Sequence, residues 1–293
     1  MSKPNLILTG PSGFLGEALL RHLEDEFNVY GVRRQSGTVP HSEDRTISWT
    51  GSIESLSHRV SDIEPEYIVH LAAHYSPRAH LHELHGMVDA SVSLTLGLME
   101  GIQHGSCHVI TIGSRFQRLR KGKAINTYAA LKNCQEELIS LYQSKEVTVS
   151  YLEMGDLYGP CDRRDKLIQQ MIESSVSLQP FKLRYPNNLL FPVYIDDATR
   201  AILAALKCRG RGDQRFSVVG PQGGVTVARV ASLIPNLIVD VAPLSGDASQ
   251  DEDRGHLETL LDKSIHPYPP VDGWYPEWDL ATGLRATQGE VGQ

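Results

Sequence analysis

Tyr128 and Lys132 stand four residues apart in the run NTYAALKNC, residues 126–134, which reads as helix. On a helix such positions lie one above the other, so a phenol and an ammonium can approach each other. A cation held there favours the tyrosinate, lowers the Tyr128 pKa and makes the phenol a usable proton donor near neutral pH. A second group with chemistry in its spacing is TGPSGFLG, where Gly10, Gly13 and Gly16 recur at three-residue intervals. Glycines there permit a tight turn and close backbone approach, so a helix beginning at that point can aim its N–H groups at a pyrophosphate. Each pattern also has a plainer reading, an amphipathic helix with a solvated lysine and a purely structural glycine turn. The surrounding elements decide between them.

Those elements alternate. NLILTG reads as a buried strand, residues 14–25 as a helix and NVYGV as a second strand. TISW and YIVHLAA read as strands on either side of a short helix near residues 53–61. A long helix from about Glu83 to His104 leads into the strand HVITIG, and the Tyr128 helix leads into VTVSYLEMG. This alternation predicts right-handed βαβ units and therefore an α/β fold, a doubly wound parallel sheet covered on both faces. The glycine turn follows the first strand and opens a helix, the context in which such a turn binds a dinucleotide. The expected division is a dinucleotide-binding domain over residues 1–155 and a smaller C-terminal, mainly substrate-binding part over 156–293, with 193–218 returning to the first domain.

At 293 residues, 41% hydrophobic and 22% charged, the chain can bury a full core. A net charge of -7 argues against broad nucleic-acid or anionic-membrane binding and points to a small-molecule partner. Cys107, Cys134, Cys161 and Cys208 lack CxxC pairing, which predicts reduced thiols, no metal site and a cytoplasmic setting. The start MSKPNLILTG has too few apolar residues for a signal peptide or a membrane span. Residues 245–255 are polar and acidic and read as a loop, HPYPPVDGWYPEW as a packed irregular tail, and ATQGEVGQ as a frayed end.

With TGxxGFLG at the start, HLAA at 70–73 and Tyr128-x-x-x-Lys132 in that order, the chain resembles the extended short-chain dehydrogenase/reductase family of NAD-dependent epimerases and dehydratases. The resemblance covers residues 5 to about 200 and implies a Rossmann domain. It implies that Tyr128 exchanges a proton with the substrate oxygen, while Lys132 binds the nicotinamide ribose and lowers the Tyr pKa. Gly10, Ser12, Gly13, Phe14 and Leu15 would line the cofactor pyrophosphate, and Leu71, Ala72 and Ala73 would pass its phosphates and ribose. Ser52 and Ile53 fall beside the adenine, where the family often has Asp and a hydrophobic residue. Ser114, ending HVITIGS, falls where the family holds the hydroxyl that bonds the reacting oxygen; its plainer role is to cap the turn. His74 reads as solvated or structural.

An NAD-specific site usually ends its second strand in a carboxylate that bonds the ribose 2′-hydroxyl. This strand ends in Arg33 and Arg34, whose guanidinium forks match a 2′-phosphate, so NADP(H) is the expected cofactor; a solvated basic turn is the alternative. Dehydratases of the family follow the catalytic hydroxyl with Asp-Glu, and Arg115 and Phe116 stand there instead. TIGSRFQ and INTYAALKNCQEELI resemble most the branch of nucleotide-sugar 4-ketoreductases that includes CDP-abequose synthase. That resemblance implies NADPH-dependent reduction of a nucleotide-linked 4-keto-6-deoxy sugar and a homodimer through the helices at 83–104 and 127–144. Ser114, Arg115, Tyr128, Arg163, Arg164 and Lys166 would face the keto sugar, although the last three read equally as a solvated helix start. Asp156 stands where Asn or Thr is commoner, Leu190 and Phe191 replace a usual Arg and Asp, and Asp196 reads as a helix N-cap. Two rivals stay open: a nucleotide-sugar epimerase of the same family, and a non-catalytic NADP-sensing regulator.

Overall fold

A computed structural model describes residues 2–34, 45–76, 79–102, 106–117, 124–144, 146–209, 213–241 and 268–291. The acidic segment 245–255 lies outside these residues. The strands are β1 (Asn5–Thr9), β2 (Asn28–Arg34), β3 (Thr46–Trp49), β4 (Tyr67–His70), β5 (Cys107–Ser114), β6 (Val147–Met154), β7 (Asp156–Tyr158), β8 (Phe181–Leu183), β9 (Leu189–Leu190), β10 (Pro192–Tyr194), β11 (Gln214–Val218), β12 (Val225–Thr226) and β13 (Val239–Val241). The helices are α1 (Phe14–Leu23), α2 (Ile53–Ile63), α3 (Leu81–Val88), α4 (Leu94–Gly101), α5 (Thr127–Ser140), α6 (Leu167–Val176), α7 (Ile195–Leu206), α8 (Val227–Leu233) and α9 (Leu280–Val291).

All eight residues of β6 and four of the five in β1 are buried, as in strands covered on both faces. Seven strands form one parallel sheet in the order β3-β2-β1-β4-β5-β6-β11. One apolar cluster packs α1 and α7 against the sheet and continues into the second half of the chain; the other packs α2, α4 and α5 against the opposite face. The order reverses between β1 and β4, so the carboxyl ends at Thr9, His70 and Ser114 border the crevice where open α/β sheets hold ligands. Shorter strand pairs, β7 with β10, β8 with β13 and β9 with β12, build the second half.

Three expectations need correction. The helix read from Glu83 to His104 runs as α3, a π turn over Asp89–Ser93, and α4. Trp49 Nε1 donates to Asp89 Oδ2 at 2.8 Å and Thr95 Oγ1 donates to the Ser91 carbonyl at 2.9 Å, side-chain demands that hydropathy cannot report. Asp196 is not the N-cap of α7: Tyr194 holds that position without a side-chain cap, and Asp196 lies exposed in the first turn. Residues 286–291 of ATQGEVGQ do not fray, because α9 continues to Val291. Its buried Leu280, Gly283, Leu284 and Thr287 form a helical stripe that begins upstream of that polar text.

The aromatic tail is packed as expected, and Asp197 explains how. This fully buried carboxylate accepts the Glu277 N–H at 2.9 Å and the Trp278 N–H at 3.1 Å, and it pairs with Arg200. Trp274 Nε1 donates to the Asp197 carbonyl at 3.0 Å, and Trp278 stacks on Tyr194 with centroids 4.1 Å apart. Asp197→Ala strands two buried backbone donors and leaves Arg200 only its pair with Glu277, so urea unfolding followed by tryptophan fluorescence should reveal a loss of roughly 2–4 kcal/mol. A loss below about 1 kcal/mol, the range of an exposed ion pair, would show that Asp197 does not hold the tail.

Candidate active site

The glycine turn is shaped by contact. Gly10 has φ +69°, and a Cβ on Gly16 would lie 2.0 Å from the Gly10 carbonyl oxygen, so α1 can start this close to β1 only with glycine there. The Gly13 N–H donates to the Gly10 carbonyl at 3.1 Å, and Gly13, at the N-cap, supplies no side-chain cap. The first-turn N–H groups of α1 therefore face outward at its positive end. Ser12 and Gly13 are exposed there, Phe14 is half-buried and Leu15 is buried. Thr9 Oγ1 accepts the Ala72 N–H at 2.9 Å, which fixes Leu71, Ala72 and Ala73 alongside the turn. At the far side, Arg33 is half-buried and Arg34 exposed at the end of β2, opposite Ser48 and Trp49 of β3. Ser52 caps α2, its Oγ accepting the Ser55 N–H at 3.1 Å, and Ile53 opens that helix.

Asn126 caps α5 through the Ala129 N–H at 2.9 Å and places Tyr128 in the first turn. Lys132 is 3% exposed; its Nζ donates to the Ile112 carbonyl and to Gln135 Oε1, each at 2.9 Å. This ties α5 to β5 two residues before Ser114, which ends that strand. Ser114 Oγ accepts the Phe116 N–H at 3.3 Å, leaving its proton to donate elsewhere. Tyr128 and Tyr75 pack in a T-shaped pair with centroids 5.0 Å apart, and Lys166 Nζ sits 3.1 Å from the Tyr75 centroid. Tyr75 is a site neighbour that the sequence reading missed, since an aromatic just past HLAA carries no period that aims it at α5.

The expected lowering of the Tyr128 pKa by Lys132 is not realised. Burial pushes the phenol up to about 12, Tyr75 adds to the rise, and the cation that opposes it is Arg164. Spacing puts Tyr128 and Lys132 on one face, but the lysine stem turns inward to Ile112 and Gln135. Burial in turn lowers Lys132 to about 8.

Behind Lys132 lies a buried polar chain. Gln135 Nε2 is 2.6 Å from His70 Nε2, and His70 Nδ1 is 2.7 Å from Thr9 Oγ1, with Thr95 Oγ1 at 3.0 Å from His70 Nε2. The Gln135 oxygen serves Lys132, so its amide N–H must donate to His70 Nε2, which assigns the imidazole proton to Nδ1. Burial, reinforced by the Lys132 charge, lowers His70 to about 3 and keeps it neutral. The glycine turn and the lysine are thus joined through β4, α4 and α5.

From the second half, Arg164 crosses over α1. It binds Asp162 through two bonds of 2.7 Å, donates to the Leu157 carbonyl at 3.0 Å and lies 4.5 Å over the Phe14 ring. Arg163 is exposed, and its charge is felt at Cys161; the two arginines do not act as one basic group. Lys166, lowered to about 8 by burial, approaches Tyr128 through Tyr75. Arg115 stacks 3.8 Å over Phe191 and lies 3.4 Å from Glu153. Asp156 Oδ2 accepts the Phe191 N–H at 2.7 Å; burial raises its pKa against the pull of that bond and of Lys166, Arg115 and Arg164. His74 lies 3.9 Å from Glu83.

Comparison with known proteins follows the same outline. The profile of the NAD dependent epimerase/dehydratase family matches residues 6–220. CDP-abequose synthase of Yersinia pseudotuberculosis is 27% identical over 205 residues, covering 68% of this chain and 71% of the relative. The solved structure of MoeE5 in complex with UDP-glucose and NAD is 20% identical with a TM-score of 0.73, covering 97% of both chains. UDP-glucose 4-epimerase of Thermotoga maritima, solved with UDP-glucose, is 18% identical with a TM-score of 0.73, covering 98% of both. These two structural likenesses are likenesses of fold.

Lys132 gives the site a pH signature. Between about 8 and its ordinary 10.5, the unfolded chain holds a proton that the folded protein has released, so stability rises with pH across that window. At lower pH the folded protein must carry a buried ammonium. Lys132→Met removes the effect, and urea melts of the ligand-free protein should show wild type gaining up to about 3 kcal/mol on the variant between those limits. Parallel profiles would mean that burial does not perturb Lys132.

Proposed function

The chain belongs to the NAD dependent epimerase/dehydratase family, and we propose that it is an NADPH-dependent oxidoreductase reducing the 4-keto group of a nucleotide-linked 4-keto-6-deoxy sugar. The observation that carries this reading is the tether from Lys132 to Ile112, which brings α5, with Tyr128 one turn earlier, to the strand end at Ser114. A hydroxyl, a phenol and an ammonium then share the carboxyl edge of the sheet with the uncapped start of α1. The residues fit a dinucleotide there: a Cβ on Gly10 would crowd the Ala72 nitrogen at 3.2 Å, so glycine lets the turn lie close against the loop after β4, while exposed Ser12 and Gly13 and the missing side-chain cap leave the first N–H groups of α1 open to a phosphate.

When bound, NADPH supplies the hydride. Tyr128 gives its proton to the oxygen of the carbonyl as that carbon is reduced, and Ser114 donates a hydrogen bond to the same oxygen as charge builds on it. The buried phenol carries its proton at neutral pH and so can enter the reaction as the donor. Lys132, with two N–H groups engaged by Ile112 and Gln135, keeps one for the nicotinamide ribose. Residues 156–293 mainly hold the sugar nucleotide, and Lys166, together with Arg115 at the end of β5, meets its charge. Similarity to CDP-abequose synthase supports a nucleotide sugar as substrate.

Three measurements test this reading. NADPH absorbance should fall when the protein meets one member of a panel of CDP-, dTDP-, GDP- and UDP-linked 4-keto-6-deoxy sugars; no consumption with any of them would refute it. Tyr128→Phe should keep its fold and its NADPH affinity while turnover falls on the order of 10²- to 10⁴-fold, and a near wild-type rate would remove the phenol from the chemistry. Replacing Arg33 and Arg34 with Ala should raise the Kd for NADPH far more than that for NADH, whereas equal effects would leave the 2′-phosphate without its partner.

A further inference from the structure

Gln117 is fully buried, and every hydrogen-bonding atom of its amide is engaged. Its Oε1 accepts the Ser114 N–H at 2.6 Å, while its Nε2 donates to Asn133 Oδ1 at 2.9 Å and to Glu136 Oε2 at 3.0 Å. Asn133 Nδ2 returns a bond to the Gln117 carbonyl at 3.5 Å, and Glu136 is itself anchored to Arg215 of β11. Gly113 makes room, since a Cβ there would lie 2.9 Å from Gln117 Oε1. Asn133 and Glu136 belong to the same helix as Tyr128 and Lys132, so this one amide fastens the turn carrying Ser114 to the helix carrying its partners. The turn also sets the polarity of the Ser114 hydroxyl, because the Phe116 N–H occupies a lone pair and the proton is left to point outward.

We propose that Gln117 is a positioning residue for the reduction: it holds the Ser114 hydroxyl at a fixed place relative to Tyr128 and touches neither cofactor nor substrate. The proposal rests on the reading of Ser114 given above. Gln117→Leu keeps the volume and removes the clamp. It should lower kcat on the order of 10-fold or more, as small misplacements of a catalytic group do, with the Kd for NADPH unchanged. Asn133→Ala, at a half-buried position, loosens the same amide without entering the core and serves if the leucine variant fails to fold.

The deciding experiment is a double-mutant cycle with Ser114→Ala, with kcat and NADPH Kd measured for each protein. If Gln117 works through Ser114, its replacement, or that of Asn133, costs less than about 3-fold in the Ser114→Ala background. An equal cost in both backgrounds would overturn the proposal and leave Gln117 a general structural residue. A Ser114→Ala protein with wild-type kcat would instead overturn the reading of Ser114 itself, and the proposal with it.

Discussion

An ammonium buried in a protein core must be met by oxygen atoms, and Lys132 imposes that demand on half the sheet. Its partners are a carbonyl of β5 and the Gln135 amide. The amide is then committed to His70 on β4, and His70 to Thr9 at the end of β1. Each link fixes the donor and acceptor roles of the next, because a buried unsatisfied polar atom costs as much as a lost hydrogen bond or more. Even the π turn between α3 and α4 belongs to this chain, since it precedes Thr95, which contacts both His70 and Gln135. Three strand ends and two helices are thereby held in register around the crevice.

A second set of contacts closes the crevice from the other side. Asp162 takes both ends of the Arg164 fork, and that guanidinium lies on Phe14, so the loop after β7 rests on the start of α1. Tyr75 then stands between Lys166 and Tyr128. Desolvation dominates the electrostatics of the enclosure: it raises Tyr128 and Asp156 and lowers Lys132 and Lys166. Each of these groups is pushed toward its neutral form.

Much of this was legible in the sequence, for identifiable reasons. Buried parallel strands write themselves as apolar runs, and a glycine triplet after the first of them marks the turn at which α1 must start against β1. The places of Tyr128 and Lys132 on one helix and of Ser114 at a strand end could be read because helix period and strand end are local constraints. What failed to show depends on contacts between distant segments. Spacing placed Lys132 under Tyr128, but Ile112 and Gln135 decide where its ammonium goes. Arg163 and Arg164 look alike in sequence, and Asp162 with Phe14 separates them. Gln117 stood in the quoted run TIGSRFQ, yet its role needs Gly113, Asn133 and Glu136 assembled around it.

The central claim is that Tyr128, Ser114 and Lys132 serve a net reduction at sugar C4. Its most direct test uses NADPH carrying deuterium at C4 of the nicotinamide, supplied in separate reactions with 4-keto-6-deoxy sugar nucleotides and with their 4-hydroxy counterparts. The account predicts one NADPH oxidised per sugar reduced and, by NMR of the product, deuterium bound at sugar C4. A 4-hydroxy sugar nucleotide inverted at C4, free of deuterium and formed without net consumption of cofactor, with the keto sugars left unreduced, would contradict it.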